Sequence, residues 1–348
     1  MKIIVYAIAK DESKNVHDFV SSCSDADKII VGVEPNDPTS KLLKYEGADV
    51  LEFKLPEFRF DSYRNYVLEN VDVDSDVCIS LDLDERLEVG WRKKIEKVWE
   101  KNTTRLNYWL QWSDNRRFFY DRIHSRSGYR WKYANHECLV RQYGEKEVIS
   151  TSDLTIFHKR DHEKDRTKNL HLLQIAIQED PQSARMLWYY GRELYYQQQY
   201  EKSIDIFNKY LQFGIWAEER SWACIFISRN LIELDRKFDA EAYLHMAIHE
   251  CNDLRDPYFE LANLYFGSNN HERSLLELDR AARIFSKRNM FHESNGAYSE
   301  KLYLLRMKVF TLLGNHKEAE ISFRKARRIN PSILENEDEV CNLRDFEK

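Results

Sequence analysis

The fold is decided by the stretch Val77-Cys78-Ile79-Ser80-Leu81-Asp82-Leu83-Asp84-Glu85-Arg86, an apolar run that ends in three carboxylates. A short β-branched run of this kind predicts an inner strand of a parallel sheet, and ligands of open α/β sheets bind beyond the carboxyl ends of such strands. Asp82 and Asp84 are therefore expected at a ligand site. Carboxylate oxygens suit Mg²⁺ or Mn²⁺, which usually binds phosphate oxygens as well. A solvated turn or a helix N-cap is the alternative interpretation of this acidic tip.

Upstream of this strand, short β-rich runs alternate with amphipathic stretches. Strands are predicted at 3–9, 28–33 and 49–53, and helices at 13–22, 39–45 and 60–70. This β-α-β-α order predicts parallel strands with right-handed crossovers and a sheet covered on both faces. It is typical of a nucleotide-binding half-domain.

Downstream, after a predicted helix at 89–101, the pattern changes to aromatic strands separated by polar turns. These strands are predicted at 106–112, 117–123, 130–140 and 154–158. Their spacing is more that of a meander than of crossovers. We expect them to complete the sheet and to form the acceptor side of the site.

From about residue 163 onward the sequence predicts helices that repeat. Small residues align at Ser203, Ala240, Ser274 and Ala319, with spacings of 37, 34 and 45 residues. The last unit also matches the tetratricopeptide pattern with Tyr303, Phe310, Gly314, Phe323, Ala326 and Pro331. Stacked helix pairs of this type form a concave solenoid. An unrelated helical bundle is the alternative.

Length and composition predict two globular domains, at 1–162 and 163–348. The net charge of −6 argues against wholesale coating of nucleic acid, but residues 86–132 hold thirteen Lys or Arg against five Asp or Glu. Six scattered cysteines without CxxC spacing indicate reduced thiols in a cytoplasmic protein. No run approaches the roughly 18 apolar residues of a membrane span.

With these motifs in order, residues 1 to about 160 resemble the catalytic domain of family-2-type glycosyltransferases with the GT-A fold. The subgroup that carries C-terminal tetratricopeptide repeats is most similar, so the resemblance covers nearly the whole chain. It rests on the motifs Lys10-Asp11-Glu12, Phe60-Asp61-Ser62-Tyr63-Arg64-Asn65-Tyr66, Leu81 to Glu85, His136-Glu137, and the passage from Arg166 through Asp180-Pro181 to Arg192. The fold implied is an α/β GT-A domain, Rossmann-like with a mixed, mostly parallel sheet, followed by an all-α tetratricopeptide-type solenoid.

The resemblance implies a nucleotide diphosphate-sugar donor and a divalent metal, Mn²⁺ or Mg²⁺. Carried onto this sequence, it assigns Asp84 to the metal, Asp82 to metal or ribose, His158 to the metal, and Arg64 to the diphosphate; Asp11 joins the donor site. The segment after the second strand, Glu34-Pro35-Asn36-Asp37, departs from the family pattern. Glu34 is expected to contact the base, and uridine is the default nucleotide.

For an inverting transfer, the resemblance makes Glu137 the general base that takes the acceptor hydroxyl's proton, a contribution of typically about 10²–10⁴ in rate. Acceptor-binding residues are expected among the interleaved basic and aromatic side chains, namely His136, Arg116, Arg117, Arg122 and Trp131. A surface of interleaved basic and aromatic side chains can bind phosphates and stack bases, or pack against sugar rings. The acceptor is therefore expected to be a saccharide or glycolipid, with a hydroxylated base in DNA or a protein as alternatives.

A function of another class stays open. A degenerate transferase domain could serve as the platform of a non-catalytic adaptor, with a protein partner in the groove of the repeats. Asp82, Asp84, Arg64 and Glu137 favour the enzyme, and the altered segment at Glu34 favours the adaptor.

Overall fold

The computed structural model of the chain describes residues 1–113, 116–143, 146–159, 169–284 and 296–333. It contains two compact units, with the division between Glu179 and Asp180. The predicted boundary at 162/163, the Arg166-Thr167-Lys168 part of the passage and Cys341 lie outside the described residues. The other five cysteines are free thiols.

The first unit contains ten strands and five α-helices within the described ranges. The strands are β1 Ile3–Ala9, β2 Lys28–Val33, β3 Asp49–Glu52, β4 Val77–Asp82, β5 Glu85–Leu87, β6 Arg105–Ser113, β7 Arg116–His124, β8 Tyr129–Lys132, β9 Cys138–Arg141 and β10 Ile149–His158. The helices are α1 Val16–Ser22, α2 Thr39–Tyr45, α3 Phe60–Glu69, α4 Trp91–Val98 and α5 Asn169–Glu179.

Eight of these strands form one mixed sheet in the order β3-β2-β1-β4-β7-β6-β10-β5. Strands β1 to β4 are parallel, β7 runs antiparallel to β4 and β6, and β10 is parallel to β6. The edge strand β5 is antiparallel to β10. The prediction of a mixed, mostly parallel sheet is confirmed, because only β7 and β5 run against the other six.

Both faces of the sheet are covered, as expected for parallel inner strands. Alternate residues of β1 show this: Ile3 and Val5 belong to one core cluster with Phe19 and Trp91, whereas Ile4 and Tyr6 belong to another. The second face packs on α3 and on the two-stranded sheet of β8 and β9. The prediction of one strand over 130–140 was wrong, since β8 and β9 are separate and pair antiparallel. The intervening segment turns with left-handed backbone at Tyr133 and His136, with φ of 84° and 51°.

The second unit contains four antiparallel helix pairs in its described part. They are α6 Ala184–Tyr196 with α7 Tyr200–Phe213, α8 Ala217–Glu233 with α9 Lys237–Glu250, α10 Asp256–Gly267 with α11 His271–Arg283, and α12 Glu300–Leu312 with α13 His316–Ile329. In none of the described helices is there an apolar stretch that is long enough to cross a membrane.

Two of the four helix pairs share one packing device. Ser203 of α7 donates to the carbonyl of Gly191 on α6, and Ser274 of α11 donates to the carbonyl of Ala262 on α10, each at 2.9 Å. All four aligned small residues are buried. A Cβ on Gly191 would lie 3.0 Å from the Phe207 ring, so close approach requires the small residue there. The prediction of tetratricopeptide-type helix pairs is confirmed.

The turn inside each pair is also the same. The residue two positions before the second helix has left-handed backbone in every pair, with φ of 58° at Gln198, 56° at Asp235, 56° at Asn269 and 73° at Gly314. Only Gly314 takes this conformation without steric cost.

Candidate functional site

The candidate site lies where the strand order of the large sheet reverses. From β1 the chain builds outward through β2 and β3, and then returns to place β4 on the opposite side of β1. In open α/β sheets, ligands bind at the carboxyl ends of the strands at this switch point. Lys10 to Glu12 follow β1 and Leu83 to Glu85 follow β4, so the two acidic motifs predicted from the sequence meet at this edge.

Arg64 of α3 is the centre of a buried polar network at this edge, with only 2% of its side chain exposed. Its Nε donates to Glu137 at 2.7 Å, its Nη1 to the Ser80 hydroxyl at 3.1 Å, and its Nη2 to Asp82. Three residues from two sequence motifs, 16 to 73 residues away from Arg64, therefore converge on one guanidinium. Arg64 does not pair with Asp61 of the same helix, since Asp61 pairs with Arg59.

Arg122 of β7 brings a second guanidinium to Asp82. Its Nη1 donates to Asp82 Oδ2 at 2.9 Å. A β-bulge places it there: Leu106 pairs with Ile123, but Tyr108 pairs with Tyr120, so β7 has one extra residue. Bulges of this kind redirect a side chain next to functional sites.

These contacts shift the pKa values of two neighbouring carboxyls in opposite directions. Burial opposes ionisation of Asp82, but Arg64 and Arg122 outweigh it and lower the pKa of Asp82 well below its usual range. Burial, together with the charge of Asp82, raises the pKa of Glu85 to about 7. Glu85 is 2% exposed and accepts a hydrogen bond from the backbone N–H of Asp82 at 2.9 Å.

Asp84 has a different partner from Asp82. After the turn at 83–84, its Oδ2 lies 3.6 Å from Nε2 of His158, the last residue of β10. The His158 ring stacks on Trp112, with ring centroids 4.1 Å apart and parallel planes. Burial lowers the pKa of His158, but Asp84 outweighs this effect and the pKa is raised above its ordinary value.

The predicted metal residues are thus divided between two groups. Asp84 and His158 lie together, whereas both oxygens of Asp82 accept from arginines. Throughout the described ranges, no three His, Cys, Asp or Glu side chains are gathered in a way that could hold a metal ion. The carboxylate oxygen suits Mn²⁺ or Mg²⁺, and the imidazole nitrogen suits Mn²⁺ better than Mg²⁺, with phosphate and water to supply the remaining ligands.

A hydrogen-bonded chain supports Arg64 from beneath. The guanidinium lies 5.0 Å from the Trp131 ring, and Trp131 Nε1 donates to the Tyr6 hydroxyl at 2.8 Å. His124 Nδ1 lies 2.8 Å from the Ser125 carbonyl, which can only accept, so Nδ1 carries the hydrogen. Nε2 of His124 then accepts from Tyr6 at 2.8 Å. The three donors of this hydrogen-bonded series, namely Trp131 Nε1, the Tyr6 hydroxyl and His124 Nδ1, therefore each have an acceptor.

The predicted donor residues at the ends of β1 and β2 form a separate cluster. Glu34 accepts from the Tyr63 hydroxyl at 2.8 Å and from Lys10 Nζ at 3.3 Å. The hydrogen bond from Tyr63, with the charge of Lys10, lowers the pKa of Glu34. Asp11 has left-handed backbone, with φ of 55°, and its N–H donates to Asp37 at 2.9 Å.

The residues predicted to bind an acceptor are spread over three places. Trp131, 2% exposed, and Arg122 lie in the Asp82 network, and His136 is exposed in the turn before Glu137. Arg116 and Arg117 lie at the start of β7. The sequence reasoning missed Tyr6, His124 and Glu85. An acid next to Asp-x-Asp was the one available signal for Glu85.

No family model matches this sequence, and no curated protein gives a significant sequence match. Among solved structures, PilF of Pseudomonas aeruginosa is similar at 17% identity and a TM-score of 0.38, over 47% of this chain and 68% of that chain. YrrB, a TPR protein with an unusual peptide-binding site, is similar at 16% identity and 0.36, over 48% and 78%. PilW, a type IV pilus biogenesis factor, is similar at 18% and 0.41, over 50% and 74%.

These similarities concern the helical half of the chain. Because the TM-scores are below 0.5, they carry no argument about function. The assignment of the helix pairs rests on their own packing and turns.

Proposed function

We propose that this protein is a glycosyltransferase of the family-2 type with a GT-A catalytic domain, which moves a sugar from a nucleotide diphosphate-sugar to a hydroxyl group. The observation that carries the proposal is the convergence of Arg64, Arg122, Asp82 and Glu137 at the switch point of the sheet. Buried ionisable groups with perturbed pKa values at such an edge are typical of functional sites. The motifs that resemble the family are the ones that meet there.

The two guanidiniums supply positive charge where the leaving diphosphate develops negative charge. Arg64 is held from three sides and Arg122 contacts Asp82, so both are fixed before a ligand binds. Such preorganised charge stabilises a developing anion without reorganisation during the reaction. In this proposal Arg64, which is buried and engaged on three sides, acts on the diphosphate through its charge, Arg122 binds the diphosphate, and Asp82 binds the ribose.

Asp84 and His158 are the residues that would hold Mn²⁺ or Mg²⁺. A bound divalent ion supplies further charge neutralisation for the diphosphate. His158 keeps its ring position through the stack on Trp112. Its Nδ1 is buried and has no hydrogen-bond partner among the described residues.

The nucleoside would lie over the ends of β1 and β2, between Lys10, Glu34 and Tyr63. Glu34 is ionised and already accepts two hydrogen bonds, so a base must compete for it or bind beside it. Asp11 flanks this position. Uridine stays the default nucleotide.

Glu137 is the proposed general base. In this structure it is 8% exposed and accepts from Arg64, so it also holds that guanidinium. Glu137→Gln separates the two roles, because an amide oxygen can accept from Arg64 but cannot take a proton. Loss of transfer with unchanged nucleotide binding supports the base, whereas full activity assigns Glu137 to positioning alone.

The direct test is the unfolding midpoint with UDP, GDP, CDP, ADP and dTDP, each with and without Mn²⁺. A ligand at 100 times its Kd that binds only the native state stabilises it by about 2.7 kcal/mol. We expect one nucleotide to raise the midpoint in a Mn²⁺-dependent way, and Asp84→Asn to abolish this rise. Asp153→Asn is the matched control, since the Asp153 side chain is 82% exposed. No rise with any nucleotide contradicts the proposal.

A second candidate is a non-catalytic adaptor that binds a protein partner in the repeats. The helix pairs favour it, because stacked pairs of this type form extended binding surfaces. If Asp84→Asn and Glu137→Gln leave the protein's biological activity unchanged, the adaptor replaces the transferase.

A further inference from the structure

The large sheet carries an exposed aromatic and cationic surface beside the Asp82 network. We call it the aromatic platform and define it by Trp109, Gln111, Arg117, Phe119 and Phe157. Trp109 and Phe119 lie opposite each other on β6 and β7, and their rings stack with centroids 3.9 Å apart. Phe119 is 51% exposed and Phe157 is 44% exposed.

Strand register shows that these five side chains share one face. Gln111 pairs with Arg117 on one side and with Phe157 on the other. Leu106, Tyr108 and Leu110 of β6 belong to the core cluster of the opposite face. Because side chains alternate along a strand, the platform lies on the face that also packs on β8 and β9.

The platform is continuous with the candidate site. Arg105, on the same face of β6, contacts the Tyr129 ring of β8 and donates to the Leu139 carbonyl of β9. Trp131 of β8 lies beneath Arg64 and Arg122. Phe119 is three residues from Arg122 on β7, so a molecule on the platform would reach toward Asp82.

The charge of the platform comes from Arg117. Its guanidinium lies 4.4 Å from the centroid of the Trp109 ring. Within the described ranges no carboxylate pairs with it, whereas Arg105 is paired with Asp121 at 2.9 Å. A cation held over an aromatic ring and left without an acid is suited to an anionic group on a ligand.

We propose that the platform binds an acidic saccharide, which is the acceptor of the transfer proposed above; this inference rests on that function. A sugar ring would pack its C–H face on Phe119, and a carboxylate or phosphate on the sugar would bind Arg117. An exposed ring on an inner strand of a rigid sheet provides apolar contact at little cost in side-chain entropy.

The structure favours a saccharide over a nucleic acid, although residues 86–132 are rich in arginine. Binding of a nucleic-acid strand requires a groove of available cations along the backbone. Several arginines of this region are used inside the protein: Arg122 by Asp82, Arg105 by Asp121, and Arg126 by the carbonyls of Glu69 and Val71. These three arginines are therefore already engaged inside the protein and are not available to a nucleic-acid backbone.

The test measures binding to the full chain by saturation-transfer NMR and tryptophan fluorescence. The probes are an oligogalacturonate, a heparin-derived tetrasaccharide, neutral maltohexaose, and oligo-dT. We expect at least one acidic saccharide to bind more tightly than maltohexaose and oligo-dT. Phe119→Ala should weaken this binding by roughly tenfold or more, and Arg117→Gln should remove the preference for the acidic sugar.

Tyr45→Ala is the matched control, because Tyr45 is an 86% exposed aromatic residue on α2 of the same unit. The proposal is overturned if no saccharide binds, if Phe119→Ala binds like the unchanged protein, or if oligo-dT binds most tightly. The nucleotide-dependent rise in unfolding midpoint separates the two proposals. When Phe119→Ala keeps this rise and no saccharide binds, only the platform fails. When the rise is absent but an acidic sugar binds through Phe119, the transferase and the acceptor role both fail, and the platform remains as a saccharide-binding site.

Discussion

Tyr6 on β1 and His124 on β7 are joined by a buried hydrogen bond of 2.8 Å that spans 118 residues of sequence. The two strands are not neighbours in the sheet, because β4 lies between them. The bond therefore passes over β4, next to Cys78, on the face where Trp131 packs. This hydrogen bond holds Tyr6 in position to accept from Trp131, whose ring lies beneath Arg64.

The first prediction concerns acid stability. Burial lowers the pKa of His124 to about 3, against about 6.5 in an unfolded chain. The unfolded state thus binds the proton more readily, and stability is lost as pH falls from 6.5 toward 3. The loss approaches about 1.4 kcal/mol per pH unit within that window. Urea unfolding at pH 7, 6, 5 and 4 should show a shallower pH dependence in His124→Gln; an unchanged dependence contradicts the role of His124.

The second prediction concerns Arg64. Its removal in Arg64→Ala leaves Glu137 buried and Asp82 with one arginine fewer. Breaking a buried ion pair from one side costs about 3–5 kcal/mol in the free energy of unfolding. Arg324→Ala is the control, since its i,i+4 pair with Glu320 is exposed and should be worth less than about 1 kcal/mol. Equal effects of the two substitutions in denaturant unfolding refute the assignment of Arg64 as a network centre.

The third prediction concerns Asn65, which exchanges two hydrogen bonds with the backbone of Trp131. Its Nδ2 donates to the Trp131 carbonyl and its Oδ1 accepts from the Trp131 N–H, both at 2.8 Å. Asn65→Ala leaves both backbone groups unpaired, at a cost of about 2–3 kcal/mol. Asn263→Ala should change stability by less than about 0.5 kcal/mol, because the exposed Asn263 bonds only within its own helix. Thermal unfolding of the two variants measures the difference between these two losses of stability, and equal losses contradict the role of Asn65.

The fourth prediction uses two glycines with open space around them. A Cβ on Gly314 or Gly267 would meet nothing within 4 Å, but only Gly314 has positive φ. Gly314→Ala should therefore destabilise by about 1 kcal/mol, whereas Gly267→Ala, at the end of α10, should stabilise by up to about 1 kcal/mol. If both substitutions shift the unfolding midpoint in the same direction, backbone conformation is not the deciding factor.

The sequence predicted the sheet well where apolar runs are short and bounded, as in β1, β2 and β4. It failed at 130–140 because the turn that separates β8 from β9 depends on two left-handed residues other than glycine, Tyr133 and His136. For the same reason, the turns inside three of the four described helix pairs could not be predicted, since Gln198, Asp235 and Asn269 stand where a glycine would be expected.

The site was predictable in its residue types but not in its pairings. The motifs placed Asp82, Arg64 and Glu137 at one edge, but they could not show how Arg122 joins them. The position of Arg122 depends on a β-bulge, which changes the alternation of side chains along β7. No residue type in the sequence marks this bulge. Tyr6 and His124 gave no signal, because a tyrosine and a histidine in apolar strands resemble ordinary core residues.

The extra residue in β7 also determines how this strand tolerates insertions and deletions. Between Arg116 and Ile123, the strand must present Phe118 and Tyr120 to the core and Phe119 to the opposite face, and then shift its phase before Arg122. Deleting one residue at 121 would restore regular pairing and leave Tyr120 and Ile123 on the core face, whereas a deletion at 118 or 119 would exchange the two faces for every residue on one side of it. Length variation is therefore expected at the connection between β6 and β7 and at the bulge, but not in the regular part of β7, and a library of single-residue deletions would show this boundary directly.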